Sequence, residues 1–290
     1  MIIDARVKLP AELRPEEPVR REYRDRYDAV LGLQDRREKT LDDLQSDMER
    51  AGVGHAIVHA EYEYGDPADA MNEAVARLVS EQPDRFSGFG TISMEHFRPM
   101  RAVRQVEKVA QLGLLGVNFQ PSFFGVPLDD RRYYPVYAKA VELGLPVCVH
   151  TGINYSAVHP IKNDHPLLVD QVACDFPELT LISGHAGWPW APEMVAVARK
   201  HPNVLMDFGG LAPRYIGAPG SGWEVMYRFM NSLLAEQVLF ATDWPVFPMD
   251  RAVEEWNELD LKPEVLSAAL GGNARRLIEA TKNKPVKHAQ

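Results

Sequence analysis

The sequence predicts a (β/α)8 TIM barrel in a single domain. Eight short apolar runs alternate with segments of helical period, and most of the runs lack in–out alternation, as strands buried on both faces do. The length of 290 residues suits one barrel of about 250 residues plus one long connection. A doubly wound open sheet is the competing architecture, but it calls for a glycine-rich phosphate turn after an early strand, and no such turn is present.

The opening MIIDARVKLP reads as a short strand with an apolar start and Arg6 and Lys8 at alternate positions near its end. Residues 12–40 are polar, with dense charge in RREYRDRY, and exceed what a barrel connection needs. They are expected to form an insertion within the domain, either a lid or a contact in a homo-oligomer; a solvated helical loop is the plainer alternative. Thr40 then caps a helix carrying Leu41, Leu44 and Met48 that stops at Gly52. The rest follows in rhythm: strand HAIVHA, helix 67–81, strand FSGFGTI, helix 100–112, strand LLGVNF and helix 134–143. It continues with strand PVCVH, helix 166–176, strand LTLISGH, helix 190–200, strand NVLMDFG, helix 223–234, strand VLFATDW and helices to the end.

Composition narrows the function. The chain is 46% hydrophobic and 25% charged, and its net charge of −9 would repel nucleic acid. No apolar run nears the roughly 20 residues that span a bilayer, and Arg6 and Lys8 interrupt the only early apolar stretch, so neither a membrane span nor a signal peptide is expected. Cys148 and Cys174 sit in apolar company outside any CxxC pattern and read as reduced core residues of a cytoplasmic protein.

In a barrel of this kind the chemistry collects at the C-terminal ends of the strands. The first strand ends in Arg6 and Lys8, the second in His59, Glu61 and Tyr62, and the fourth in Asn118 and Gln120. The fifth ends in His150, Thr151, Asn154 and Tyr155, the sixth in His185 and Trp188, the seventh in Asp207 and the eighth in Asp243. A single histidine in such a place is commonly a satisfied structural group. Two histidines and an aspartate from three strands at one mouth can hold a divalent metal or form a base and its orienting partner. Tyr62, Tyr155 and Trp188 follow strands directly and are candidates to wall a flat substrate, with Asn118 and Asn154 as polar contacts.

The segments GLLGVNFQPS, YYPVYAKAVELGLPVCVHTG, LISGHAGWPW, VLFATDWP and GGNARRLI, in this order, resemble the amidohydrolase-related (amidohydrolase-2) family. The resemblance is to the branch with aminocarboxymuconate semialdehyde decarboxylase and the resorcylate-type decarboxylases. It implies a (β/α)8 barrel with a mononuclear metal site held by an HxH pair on the first strand, a histidine after the fifth and an aspartate after the eighth. The last two correspond to His150 and Asp243, and a further acid–base histidine after the sixth strand corresponds to His185.

The departure lies at the HxH positions, which are Arg6 and Lys8 here. Neither side chain ligates a metal at neutral pH. A unit charge about 5 Å from a like charge costs roughly 3 kcal/mol at an effective dielectric near 20, and a doubly charged ion doubles that. Two outcomes stay open: His150, His185 and Asp243 hold one Zn2+ or Mn2+ with three protein ligands, or Arg6 and Lys8 replace the metal's charge. The reading favours no metal, with Asp243 and His185 moving protons, His150 beside them, and Arg6 and Lys8 binding a carboxylate or enolate. A plainer reading is that Arg6 and Lys8 form ion pairs with Asp243 and Asp4 in a site that has lost its chemistry. The expected activity is a hydrolase or lyase cleaving a C–C or C–O bond beside a carbonyl in a small aromatic or unsaturated carboxylic acid, lactone or acyl thioester. The alternative is a catalytically inactive barrel that binds a ligand or serves as a scaffold.

Overall fold

The computed structural model describes residues 1–15, 28–33, 36, 38–61, 68–155 and 158–283. Tyr62 and most of the 12–40 insertion lie outside the described residues. Eight parallel strands follow one another around a single sheet: β1 (Ile2–Lys8), β2 (Val53–His59), β3 (Phe86–Gly90), β4 (Gly116–Phe119), β5 (Val147–Val149), β6 (Leu181–Ser183), β7 (Val204–Asp207) and β8 (Val238–Leu239). Backbone bonds join the two ends of the sheet: Ala5 N donates to Phe240 O, Asp243 N to Arg6 O and Lys8 N to Trp244 O, each at 2.9 Å. The architecture is the expected (β/α)8 TIM barrel.

The helices that pack around it are α1 (Leu41–Ala51), α2 (Ala68–Glu81), α3 (Pro99–Gln111), α4 (Tyr134–Leu143), α5 (Pro166–Asp175), α6 (Ala191–Lys200), α7 (Glu224–Met230), α8 (Met249–Asn257), α9 (Pro263–Ser267) and α10 (Asn273–Lys282). Helix α1 starts with a capping box: Thr40 Oγ1 accepts from Asp43 N at 3.2 Å and Asp43 Oδ2 accepts from Thr40 N at 2.8 Å. It stops at Gly52, whose φ of 70° lies in the left-handed region that a glycine enters without a Cβ clash.

The period-two alternation of a strand divides the core. Val58, Val147, Val149, Leu181 and Val238 join the large cluster beneath the helices. Their neighbours Ile57, Cys148, Ile182 and Leu239 join a smaller cluster with Ile3 and Ala5, closed by Ala274 and Leu277 of α10. The first set faces outward and the second fills the barrel interior.

Strands β5 to β8 end earlier than their apolar runs. The runs continue through His150, His185, Gly209 and Trp244, yet the ladders stop at Val149, Ser183, Asp207 and Leu239. At the ends of β6 and β8 the backbone turns through the left-handed region, with φ of 56° at both His185 and Asp243 and 46° at Ala186. Side chains that build the mouth are carried on chain that has left the sheet. Helix α7 is shorter than its pattern because the chain leaves at Asn231 and enters a 3-10 turn at Ala235–Gln237. Cys174 corrects a second expectation. Cys148 is buried in the barrel, but Cys174 is exposed on α5, where it shares a helical face with Asp170 four residues earlier. Both thiols are free.

Candidate active site

Strand β1 carries a polar core into the barrel. Arg6 is 1% exposed, and its guanidinium is held on several sides. Asp207 Oδ2 accepts from Nε at 3.1 Å and from Nη2 at 3.0 Å, Glu61 Oε1 accepts from Nη1 at 3.3 Å, and Cys148 Sγ accepts from Nη2 at 2.8 Å. Burial favours the neutral form of Arg6, but Asp207, Cys148, Glu61 and Asp243 together outweigh it and hold the side chain firmly charged. Burial likewise pushes Asp207 upward, and Arg6 together with His185 and His59 more than offsets it, so Asp207 stays below the usual carboxylate range. The Cys148 thiol is driven up by burial and stays protonated.

Lys8, two residues along β1, lies nearer the mouth. Its Nζ donates to Glu61 Oε2 at 2.5 Å and stands 3.9 Å from Asp243 Oδ2, with 13% of the side chain exposed. Two cations thus face three carboxylates, those of Glu61, Asp207 and Asp243. Ion pairing of Lys8 with Asp243 is as the plainer reading has it. Asp4 instead accepts from Thr242 Oγ1 at 2.5 Å and from the backbone of Thr242 and Arg6, each at 3.1 Å.

Above this layer one pocket is lined by His150, His185, Asp243, Phe123, Ile153, Tyr155, Trp188, Gly210, Leu211, Val246 and Leu31. Three strand ends therefore meet around a common space, and Leu31 brings the described part of the insertion to its wall. Arg36, also from the insertion, donates Nη1–H to Val246 O at 3.0 Å. Arg6 is not among the lining residues. It lies beneath, against two glycines: a Cβ on Gly184 would stand 3.2 Å from Arg6 Nη2, and one on Gly209 would stand 3.1 Å from Arg6 Cδ.

The two histidines meet with ring centroids 4.8 Å apart and planes at 62°. His150 Nδ1 is 2.6 Å from Asp164 Oδ1, which leaves Nε2 as its second ring nitrogen. Asp164 is fully buried and also accepts from Ser122 Oγ and Asn154 Nδ2. A carboxylate so anchored sets the orientation and tautomer of the imidazole it holds. His185 Nδ1 is 2.7 Å from Gly209 O, so the ring donates there and Nε2 is left as an acceptor. Burial, then the neighbouring His150 and Arg6, push the His185 pKa down to about 3, and the ring is neutral at pH 7. Asp207 ties these layers together, since its Oδ1 accepts from the backbone N–H of His185 at 3.3 Å and of Gly209 at 3.1 Å.

Asn118 is buried at the end of β4 and is not among the pocket-lining residues, whereas Tyr155 and Trp188 are. Asn154 acts on the pocket indirectly, through Asp164. His59 is buried with Nε2 bonded to Ala5 O at 3.0 Å, and burial lowers its pKa to about 3. Asp164 had no signal in the sequence, because it stands in a loop turn (Ile161–Asp164) at no regular spacing from His150. Asp207 and Glu61 did have one, their position at strand ends.

The metal that the resemblance implies meets an unsuitable ligand set. Arg6 and Lys8, which the resemblance sets at the HxH positions, are paired with carboxylates. Among the described residues, Asp170, Cys174 and His201 alone bring one ligand atom each within 4.8 Å of one another, and His150, His185 and Asp243 do not.

The amidohydrolase family (Amidohydro_2) matches residues 3–279, so the chain belongs to that family. It is 25% identical over 296 residues to gamma-resorcylate decarboxylase of Polaromonas sp. (strain JS666), covering 86% of this chain and 88% of that protein. It is 33% identical over 138 residues to 2-keto-4-carboxy-3-hexenedioate hydratase of Sphingobium sp. (strain SYK-6), covering 41% and 40%. Among solved structures, an uncharacterised TIM-barrel protein from Bordetella bronchiseptica superposes with a TM-score of 0.79 at 30% identity, over 97% of this chain and 99% of that one. 5-Carboxyvanillate and dihydroxybenzoic acid decarboxylases of this fold have been solved with bound manganese. No helix among the described residues is long and apolar enough to cross a membrane.

Proposed function

We propose that this protein is a lyase that removes CO2 from, or adds water to, a small aromatic or unsaturated carboxylic acid, without a divalent ion at the mouth. The observation that carries the proposal is the meeting of His150, His185 and Asp243 on one pocket walled by Phe123, Tyr155 and Trp188. Aromatic walls suit a planar unsaturated body. Lys8 stands 3.9 Å from the pocket-lining Asp243 and would hold the substrate's negative oxygen, while Arg6 fixes the charge of the layer beneath.

In the decarboxylation, a protonated group delivers H+ to the carbon bearing the carboxylate. The C–COO− bond then breaks, its electron pair returns to the ring or enolate, and CO2 departs. His150, oriented by Asp164, fits the role of proton donor, and the proton it leaves on the product carbon is replaced from water before the next turnover. The neutral His185 is suited to accept a hydrogen bond from a substrate hydroxyl. In hydration the same groups activate water and protonate the adjacent carbon.

The test is turnover of γ-resorcylate, 5-carboxyvanillate and an unsaturated oxo-tricarboxylate by protein treated with chelator, with and without added Mn2+. Expected is CO2 release or hydration of at least one substrate that survives chelation and falls at least about 100-fold in His150→Ala. Turnover that appears only with Mn2+ would remove the metal-free reading. Retained ligand binding with no turnover on any of the three would instead favour a binding protein on an enzyme's scaffold.

A further inference from the structure

A second cluster of ligating side chains lies on the opposite face of the barrel. Asp170 and Cys174 are four residues apart on α5 and so project from one side of the helix. His201 follows the last residue of α6 and precedes β7, which places it at the N-terminal face of the strands, away from the pocket. His201 Nε2 is 2.7 Å from Asp170 Oδ1 and 3.9 Å from Cys174 Sγ. One ligand atom from each of the three residues lies within 4.8 Å of the other two.

We propose that Asp170, Cys174 and His201 form a second metal site, one that takes zinc or a similar borderline ion and joins α5 to α6. A tetrahedral zinc with nitrogen, oxygen and sulfur ligands at about 2.0–2.3 Å requires those ligands to lie roughly 3.3–3.6 Å apart. The His201–Asp170 separation of 2.7 Å must open by about 0.6 Å and the His201–Cys174 separation of 3.9 Å must close by about 0.3 Å, while the Asp170–Cys174 pair already lies within 4.8 Å. A thiolate, an imidazole and a carboxylate together suit zinc better than magnesium or calcium, which prefer oxygen alone. A water completes the fourth position.

The structure already sets a cation against these atoms. Lys200 Nζ donates to Asp170 Oδ1 at 2.8 Å and Oδ2 at 3.1 Å, and to Cys174 Sγ at 3.4 Å. Its side chain is 54% exposed, so it can swing into solvent when a metal takes its place. Binding displaces the thiol proton of Cys174 and the ammonium of Lys200, and it therefore tightens as pH rises. The site depends on none of the residues assigned to the reaction.

Cobalt(II) added to chelator-treated full-length protein tests this, because only a thiolate ligand produces a near-ultraviolet sulfur-to-cobalt charge-transfer band. Expected is a band that saturates at one equivalent, is bleached by one equivalent of zinc, and is accompanied by a rise in melting temperature. Cys174→Ser and His201→Ala lose both effects, while Cys148→Ser keeps them and Lys200→Ala strengthens them. Absence of the band in the unaltered chain overturns the site, and so does its persistence in Cys174→Ser. Lyase turnover that is lost with no change in the cobalt band would count against the active-site reading alone.

Discussion

Arg6 and Asp207 form a pair sealed inside the barrel, with Asp207 Oδ2 accepting from both Nε and Nη2 of the guanidinium at 3.1 and 3.0 Å. Each side chain is 1% exposed. Removing one member leaves an uncompensated buried charge, a loss of about 3–5 kcal/mol. Arg6→Ala and Asp207→Ala are each expected to lower stability by about that much in urea titrations. The double substitution should cost less than the sum of the two, because the second change removes a charge the first left stranded. A fully additive double mutant would refute the pairing.

Protonation should weaken the fold through His59 and His185, both lowered to about 3 by burial. In the unfolded chain a histidine binds its proton near pH 6.5, and in the fold these do so only near 3. Their contribution is complete above about pH 6.5 and is lost as pH falls from there toward 3. Asp4 works in the other direction, since burial raises it from 3.8 to about 7. Its contribution is complete below pH 3.8 and is lost as pH rises through about 7. Each proton contributes a slope of up to about 1.4 kcal/mol per pH unit. Unfolding free energies measured from pH 4 to 6.5 should therefore depend more steeply on pH in Asp4→Asn than in the parent, and less steeply in His59→Asn. Equal slopes in all three would dismiss the assignment.

Asp164 should matter to rate more than to substrate affinity. Its carboxylate bonds the pocket-lining His150, so Asp164→Asn disturbs the tautomer and aim of the imidazole. On any substrate the protein turns over, kcat is expected to fall about 100-fold or more with KM changed little. A rise in KM at constant kcat would instead make Asp164 a binding residue.

Gly210 has a φ of 70°, and a Cβ there would stand 3.5 Å from His185 Nδ1 and 3.7 Å from Asp243 Oδ2. Gly210→Ala places strained backbone and a methyl group between two site residues. A loss of about 1 kcal/mol in stability is expected, together with a lower kcat/KM. Thermal melts and steady-state kinetics on one preparation would measure both. Unchanged values would place the two side chains farther apart in solution.

The barrel was legible because its signal is local. Eight apolar runs of strand length, the Thr40 cap and the Gly52 stop are read within a few residues of where they act. The positions of His150, His185 and Asp243 were legible for the same reason, since a parallel barrel places every strand end at one mouth. The ends of β5 to β8 were misjudged because hydrophobic content continues into loops whose backbone has already turned away. Cys174 was misjudged because an apolar neighbourhood in sequence does not say which side of α5 a residue faces.

What the sequence determined by itself was the fold, the family and the presence of two cations, Arg6 and Lys8, at the end of the first strand. Only the tertiary structure decided what those cations do. Arg6 is consumed by Asp207, Glu61 and Cys148, residues 201, 55 and 142 positions away along the chain, while Lys8 lies closer to the mouth. Partner choice for a buried charge depends on which carboxylates the closed barrel brings within about 3 Å, and that proximity has no local trace in the order of the amino acids.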